Sequence, residues 1–326
     1  MSAERIIAFD PSYIAKSGKC TDGVGKFWSG CVGQLKHGLE LTGLAAVDLK
    51  DKTALHLLAV QTVLLEQGES LLDYYASILV LQRQTLLRVS SQVVADAYFS
   101  KKPFVDQLLG AGFELVSRLR NDAHLRYLYR GVHVKRPGAR KQFAGRVNVR
   151  DLDHSVFDLF AEAEDRTWKA YQAVVNAKAL KRRVGVVIIH DLDAGGVITA
   201  HRIYLSTDQG LTGPQIVHAY QCRFQQEFLY RDAKQQLGLE HSQAYTWPKI
   251  DFHFNLCLTV GSLAKAAHHL VDQTQRALPF SIADIKTCYV NDYQARRTTR
   301  MFGIDPESTL IRSAWSKITN FGLRRA

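Results

Sequence analysis

The chain has 326 residues, of which 46% are apolar and 22% charged, and its 42 Lys and Arg against 31 Asp and Glu leave a formal net charge of +11. This composition argues against a disordered chain and favours a polyanionic partner such as nucleic acid or an anionic surface. Five scattered cysteines (Cys20, Cys31, Cys222, Cys257, Cys288) without a C-x-x-C pair argue against a disulfide scaffold or zinc knuckle and for a reducing cytoplasm, and neither a signal peptide nor a run of about 18 uncharged apolar residues occurs.

In chain order, a short apolar run from Ile6 to Phe9 ends at Asp10 and predicts a strand, followed by a Gly-rich stretch and a second strand near Leu39 to Leu49. Gly18, Gly23 and Gly25 miss the spacing of a phosphate-binding loop, since Lys26 is followed by Phe27, and read as turn residues. From Glu66 to Arg88, Leu71, Leu72, Tyr75, Ile78, Leu79, Leu86 and Leu87 recur at helical spacing and predict one helix of about six turns. A strand from Gln92 to Ala95 ending at Asp96, a helix from about Pro103 to Leu109 and a strand from Phe113 to Leu119 follow, an order that suggests a parallel crossover unit.

From 121 to 207 basic residues (Arg126, Arg130, Lys135, Arg136, Arg140, Lys141, Arg146, Arg150) alternate with β-branched runs such as Val184 to Ile189, and this span reads as a β-rich insertion. A helix then starts with Thr212 as cap and Pro214 in its first turn, and 247–326 is mostly helical, with bases at Arg296, Arg297, Arg300, Arg312, Lys317, Arg324 and Arg325. The expected organisation is 1–120 and 208–246 as two parts of one catalytic domain, 121–207 as the insertion and 247–326 as a helical C-terminal region. His253, His268 and His269 have no zinc-ligand spacing.

Within 208–246, Tyr220, Arg223, Glu227, Arg231 and Lys234 fall at steps of 3, 4, 4 and 3 and so share one stripe of a helix. One carboxylate among bases suits a site that holds a divalent cation and a phosphodiester backbone together, while a solvated helix face is the competing reading. Asp10 and Asp96, each at the end of a buried strand, are placed as metal ligands are, projecting from a fixed backbone into the mouth of a fold. Three such carboxylates meeting from distant parts of the chain could bind one or two Mg²⁺ ions. Asp122, Asp191 and Asp193 also follow strand-like runs, and periodicity alone does not choose among them.

The spacing Y-x-x-R-x-x-x-E-x-x-x-x-x-x-K met by Tyr220, Arg223, Glu227 and Lys234 resembles the Y-R-E-K signature of DDE transposases of bacterial insertion sequences. IIAFDPSYIAKSG resembles that family's first-aspartate strand, QVVADAYFSKKPFVDQLLGAGFELVSRLR its second-aspartate block, and the likeness spans roughly residues 5 to 245. The resemblance implies an α/β, ribonuclease-H-like mixed sheet flanked by helices, with catalytic and metal-holding acids Asp10, Asp96 and Glu227. It further implies Mg²⁺, with Mn²⁺ able to substitute, and DNA contacts from Tyr220, Arg223, Arg231 and Lys234. Trp168 is the candidate, by position, for stacking on a flipped base, with a core or cross-strand role as the plainer reading.

The implied activity is strand nicking at element ends and strand transfer into target DNA, by a homodimer in a synaptic complex on double-stranded DNA, in the bacterial cytoplasm at the nucleoid. Members of the family usually carry an N-terminal DNA-binding domain before the first catalytic strand, whereas here Asp10 comes almost at once. A truncated, non-catalytic DNA-binding or dimerising fragment that inhibits a full-length transposase is therefore the alternative expectation, and a structure-specific nuclease on the same fold is a third.

Overall fold

The computed structural model describes residues 5–30, 32–63, 65, 68, 70–132, 139–270, 280–305 and 308–323. Cys31, Lys135, Arg136, Arg324 and Arg325 lie outside them. The chain forms two compact units, one of Met1–Ser17 with Gly23–Glu227, the other of Gly18–Asp22 with Phe228–Ala326.

The first unit is built on a mixed sheet, twelve-stranded among the described residues. Strand β1 (Arg5–Ile14) runs antiparallel to β3 (Gln34–Asp48), which also pairs with β2 (Gly25–Ser29) and β4 (Thr53–Gln61). On its other edge β1 pairs in parallel with β5 (Gln92–Val94), and β5 in parallel with β6 (Glu114–Leu119). The β5–β6 connection carries α3 (Lys102–Gly110), so the predicted strand–helix–strand crossover is present.

The β-rich span supplies β7 (Leu125–Leu128), β8 (Phe143–Arg146), β9 (Asp158–Glu162), β10 (Trp168–Ala177), β11 (Arg182–Leu192) and β12 (Ile198–Ser206). These strands continue the main sheet, because β12 pairs with β6. The strand order is β2-β3-β1-β5-β6-β12-β11-β10-β7-β8, with β4 beside β3 and β9 beside β10.

The predicted helix over Glu66 to Arg88 is shorter and divided. Its core is α1 (Leu71–Leu81), followed after Gln82 by the single turn α2 (Arg83–Leu86). Gln82 leaves helical geometry at φ −93°, ψ 7°, and with Gln82, Arg83 and Gln84 in succession the apolar stripe that would hold a longer helix on the core is interrupted. Leu86 resumes burial after that gap.

Phe9, Tyr75, Phe99 and Phe104 form the centre of the core, with Phe9 and Phe99 edge to face at 5.0 Å and Phe99 and Phe104 at 5.0 Å between ring centroids. Full burial of each such ring contributes about 1.5–3 kcal/mol. Because Phe9 immediately precedes Asp10, this cluster anchors the strand at the point where its polar residue emerges.

The second unit is helical: the end of α5 (Phe224–Gln236), then α6 (Trp247–Leu270), α7 (Ile282–Met301) and α8 (Thr309–Thr319). The segment Gly18–Asp22 joins it through Asp22, whose carboxylate accepts from the Trp247 N–H and whose own N–H donates to Tyr245 O, each at 2.8 Å. Asn291 on α7 donates to Thr319 O and Phe321 O, tying α7 to the end of α8.

Candidate active site

The parallel pair β1–β5 ends with Ala8 opposite Val94. Asp10 and Asp96 each stand two residues further on, which brings two acids from distant segments to one level at one end of the sheet. Asp10 is not the last residue of its strand, as expected from the sequence; β1 continues to Ile14, with Asp10 opposite Gly43 of β3. Past Ala8 the strand has lost β5 as a neighbour, and Pro11, which lacks an N–H, is tolerated there as on an edge strand. Asp96 follows β5 as expected and caps a 3₁₀ turn, accepting from the Tyr98 N–H at 2.9 Å, while its carbonyl accepts from the Ser117 hydroxyl of β6 at 2.8 Å.

The third acid arrives on a helix pair. Helix α4 (Gly213–Cys222) begins where Gln215 accepts from the Thr212 N–H at 2.9 Å, with Pro214 in the first turn. Gly213 is required by close approach, since a Cβ there would lie 2.5 Å from a ring carbon of Phe160. The stripe from Tyr220 to Lys234 does not lie on one helix: α4 closes at Cys222 and α5 opens at Phe224. At Arg223 the ladder tightens, its N–H donating to Tyr220 O three residues back and its carbonyl accepting from Gln226.

Arg223 links two of the three acids. Its side chain is 9% exposed; Nη2 lies 2.7 Å from Glu227 Oε1 and Nη1 3.4 Å from Asp10 Oδ1. Its Nε is buried without a hydrogen-bond partner among the described residues. Gln226, which the sequence reading passed over, donates from Nε2 to Gly43 O at 2.8 Å, at the register position opposite Asp10. That buried bond holds the start of α5 against the strand pair carrying the first acid. Its only sequence signal is a polar residue beside Glu227.

Burial pushes the Asp10 carboxyl up to about 7, against the lowering pull of Arg223 and with added repulsion from Asp96, Glu227 and Glu40. Asp96 is also raised, chiefly by burial, opposed by the Tyr98 N–H and by Arg223. Glu40 on β3 is a further buried acid near the site, raised by burial while accepting from Tyr75 and Thr62 hydroxyls. Asp10, Asp96 and Glu40 line one cleft of about 490 Å³, together with Lys26, Trp28, Leu35, Tyr75 and Tyr98.

The remaining sequence candidates are distributed as follows. Tyr220 is buried, its ring 5.0 Å from that of Tyr204 and 5.7 Å from the Arg223 guanidinium. Arg231 lies over the Phe228 ring at 4.7 Å and Lys234 pairs with Glu240 at 3.6 Å, both within the second unit. Trp168 opens β10 opposite Asp191 and does not line the cleft; β10 is four inter-strand steps from β5, about 19 Å at the usual spacing. Of the alternative aspartates, Asp191 pairs with Arg202, Asp193 closes a turn through Gly195 and Val197 N–H groups, and Asp122 forms an exposed pair with Arg120.

Carboxylate oxygens are the donors that Mg²⁺ and similar hard cations take. Asp10, Asp96 and Glu227 fit such an ion by chemistry, and the mutual repulsion recorded in Asp10 is relieved by a positive charge. Among the described residues no three acids, histidines or cysteines stand close enough to hold one as they are, and the Arg223 guanidinium stands between two of these three.

The cryo-EM structure of a piggyBac transposase synaptic complex with hairpin DNA is similar to this chain at a TM-score of 0.36 and 11% identity, covering 98% of this chain and 58% of that one. This chain thus spans a little over half the length of that relative. No curated protein sequence matches it. The family model described as "Transposase DDE domain" matches residues 78–260, a span that contains Asp96, Arg223 and Glu227 and begins after Asp10. With more than half of its residues in that match, the chain belongs to the transposase DDE domain family.

Proposed function

We propose that the protein is a DNA transposase of the Y-R-E-K branch, with Asp10, Asp96 and Glu227 as its catalytic acids. Its family implies metal-dependent nuclease and strand-transferase chemistry. The observation that carries the residue assignment is the convergence at the end of the β1–β5 pair: two aspartates at one register level, and Glu227 joined to Asp10 through Arg223. An antiparallel meander β4-β3-β1 continued by the parallel strands β5 and β6 supports a ribonuclease-H-like catalytic core.

In this reading Asp10, Asp96 and Glu227 would hold Mg²⁺, whose charge would supply activation of the attacking hydroxyl and stabilisation of the leaving oxygen in an in-line phosphoryl displacement. Arg223 supplies a fixed positive charge beside the scissile phosphate. Gln226 keeps Glu227 in register with Asp10. The exposed bases Arg130, Arg140, Lys141, Arg146 and Arg150 of the β7–β8 region grip the DNA backbone without reading sequence. Two copies acting on paired element ends complete the synaptic complex, in a bacterial cytoplasm at the nucleoid.

The test is cleavage and joining of a labelled duplex carrying the inverted repeats that flank the reading frame, with Mg²⁺ or Mn²⁺. Asp10→Asn, Asp96→Asn and Glu227→Gln are each expected to abolish cleavage while retaining binding. Full activity in any one of them removes that residue from the set. Binding without cleavage by the wild-type chain favours the non-catalytic fragment instead.

A further inference from the structure

Beside the acids, the hairpin β2–β3 presents an apolar face that the catalytic assignment leaves unexplained. Trp28 and Leu35 are directly opposite each other across the two strands, 58% and 62% exposed, and both line the cleft that holds Asp10 and Asp96. Lys26 and His37 form the next pair on the same face, two residues along, and both are exposed. The hairpin is well fixed: Phe27 and Ser29 on its other face are buried, and its turn closes through Gly33, at φ 67°, whose N–H donates to Ser29 O at 2.8 Å.

A large aromatic left in water on a fixed strand, with an aliphatic neighbour and a lysine at its side, has the composition of a nucleic-acid stacking platform: the ring takes a base face and the cation the adjoining phosphate. Tyr98 is a second exposed aromatic of the cleft, but the Lys101 amine already covers its ring at 4.1 Å. Trp28 has no such cover among the described contacts. Because a base inside a duplex offers only its edges, a platform of this kind takes an unpaired one.

We propose that Trp28 and Leu35 form the binding site for an unpaired DNA base adjoining the phosphate held at Asp10 and Asp96, with Lys26 on its backbone. The proposal rests on the reading of the acids as a DNA phosphoryl-transfer site and adds the strand state of the substrate: an end that is frayed or tailed, not fully paired. Trp28 here is a binding residue on a wall of the cleft, on a different strand from Trp168.

The experiment compares two fluorescein-labelled probes at one fixed salt concentration in EDTA, a blunt duplex and the same duplex extended by unpaired thymines, by anisotropy with the full chain. The wild type is expected to prefer the tailed probe by on the order of 10-fold, the effect of stacking one base. Trp28→Ala is expected to bring that preference to within about 2-fold of none and to leave blunt-duplex affinity unchanged, while Trp28→Phe keeps most of the preference. Equal affinity of the wild type for both probes, or a Trp28→Ala protein that keeps the preference or weakens on both probes alike, overturns the platform and leaves the catalytic reading standing. A wild-type chain that binds neither probe overturns both.

Discussion

Replacing Asp10 by Asn provides a measurement that reads the acid cluster directly. The Asp10 side chain is 17% exposed, and its carboxyl is raised from 3.8 to about 7. Between those two values the folded chain holds a proton that the unfolded chain has released. The native state is therefore the more protonated one, and its stability falls as the pH rises through that window. At 1.36 kcal/mol per pH unit over roughly three units, the decline from this group reaches about 4 kcal/mol by pH 7. Asn carries no such proton, so the variant lacks this decline.

The attraction of Arg223 for the ionised Asp10 carboxylate is already contained in the value of about 7, so it adds no separate pH dependence. Only the packing and hydrogen bonds that Asn fails to reproduce add an offset, and that offset is constant with pH. The assay is urea unfolding in EDTA from pH 4 to pH 8, plotted as the difference between Asp10→Asn and wild type. The variant is expected to gain on the wild type as the pH rises, with most of the change complete by pH 7. Added Mg²⁺ at pH 8 is expected to stabilise the wild type and not the variant, since a cation on the acids offsets the burial, and the lesser repulsion, that raise Asp10. A difference that is flat across the range would falsify the picture of Asp10 as a buried acid crowded by Asp96, Glu227 and Glu40.

Two further substitutions test the supports of the site. Gln226→Ala removes the buried donor to Gly43 O, so a loss of about 1–3 kcal/mol is expected in urea unfolding; a change within error would show that the α5 start is held by other contacts. Gly213→Ala places a Cβ 2.5 Å from the Phe160 ring, and overpacking of about 1–3 kcal/mol is expected, read as a lowered Tm; an unchanged Tm would mean that the ring moves aside freely.

The crossover unit was legible because each of its pieces carries a local signal: Gln92 to Ala95 and Phe113 to Leu119 are short apolar runs, and the helix between them has its proline in the first turn. The helix over Glu66 to Arg88 was misjudged in length, because Leu86 and Leu87 continue the apolar period while Gln82, Arg83 and Gln84 lift the chain from the core between them. Periodicity counts apolar positions but does not register a gap. The tightened turn at Arg223 escaped for a related reason, since its φ of −53° and ψ of −37° remain helical and only the hydrogen-bond partner changes. Strands β2 and β4 went unnamed, although Trp28 on the first is the basis of the stacking platform.

By itself the sequence pointed to the chemistry of the proposed site: the Y-x-x-R-x-x-x-E-x-x-x-x-x-x-K spacing, the two aspartates after apolar runs and the excess of basic residues are properties of residue identity and separation along the chain. Periodicity left Asp10, Asp96, Asp122, Asp191 and Asp193 on equal terms, and the family resemblance singled out Asp10 and Asp96. The tertiary structure adds strand register and the cation that each acid meets: Asp191 has Arg202, while Asp10 and Glu227 share Arg223. Parallel pairing of Ala8 with Val94 levels Asp10 with Asp96 across more than eighty residues of chain, a relation that no local pattern encodes.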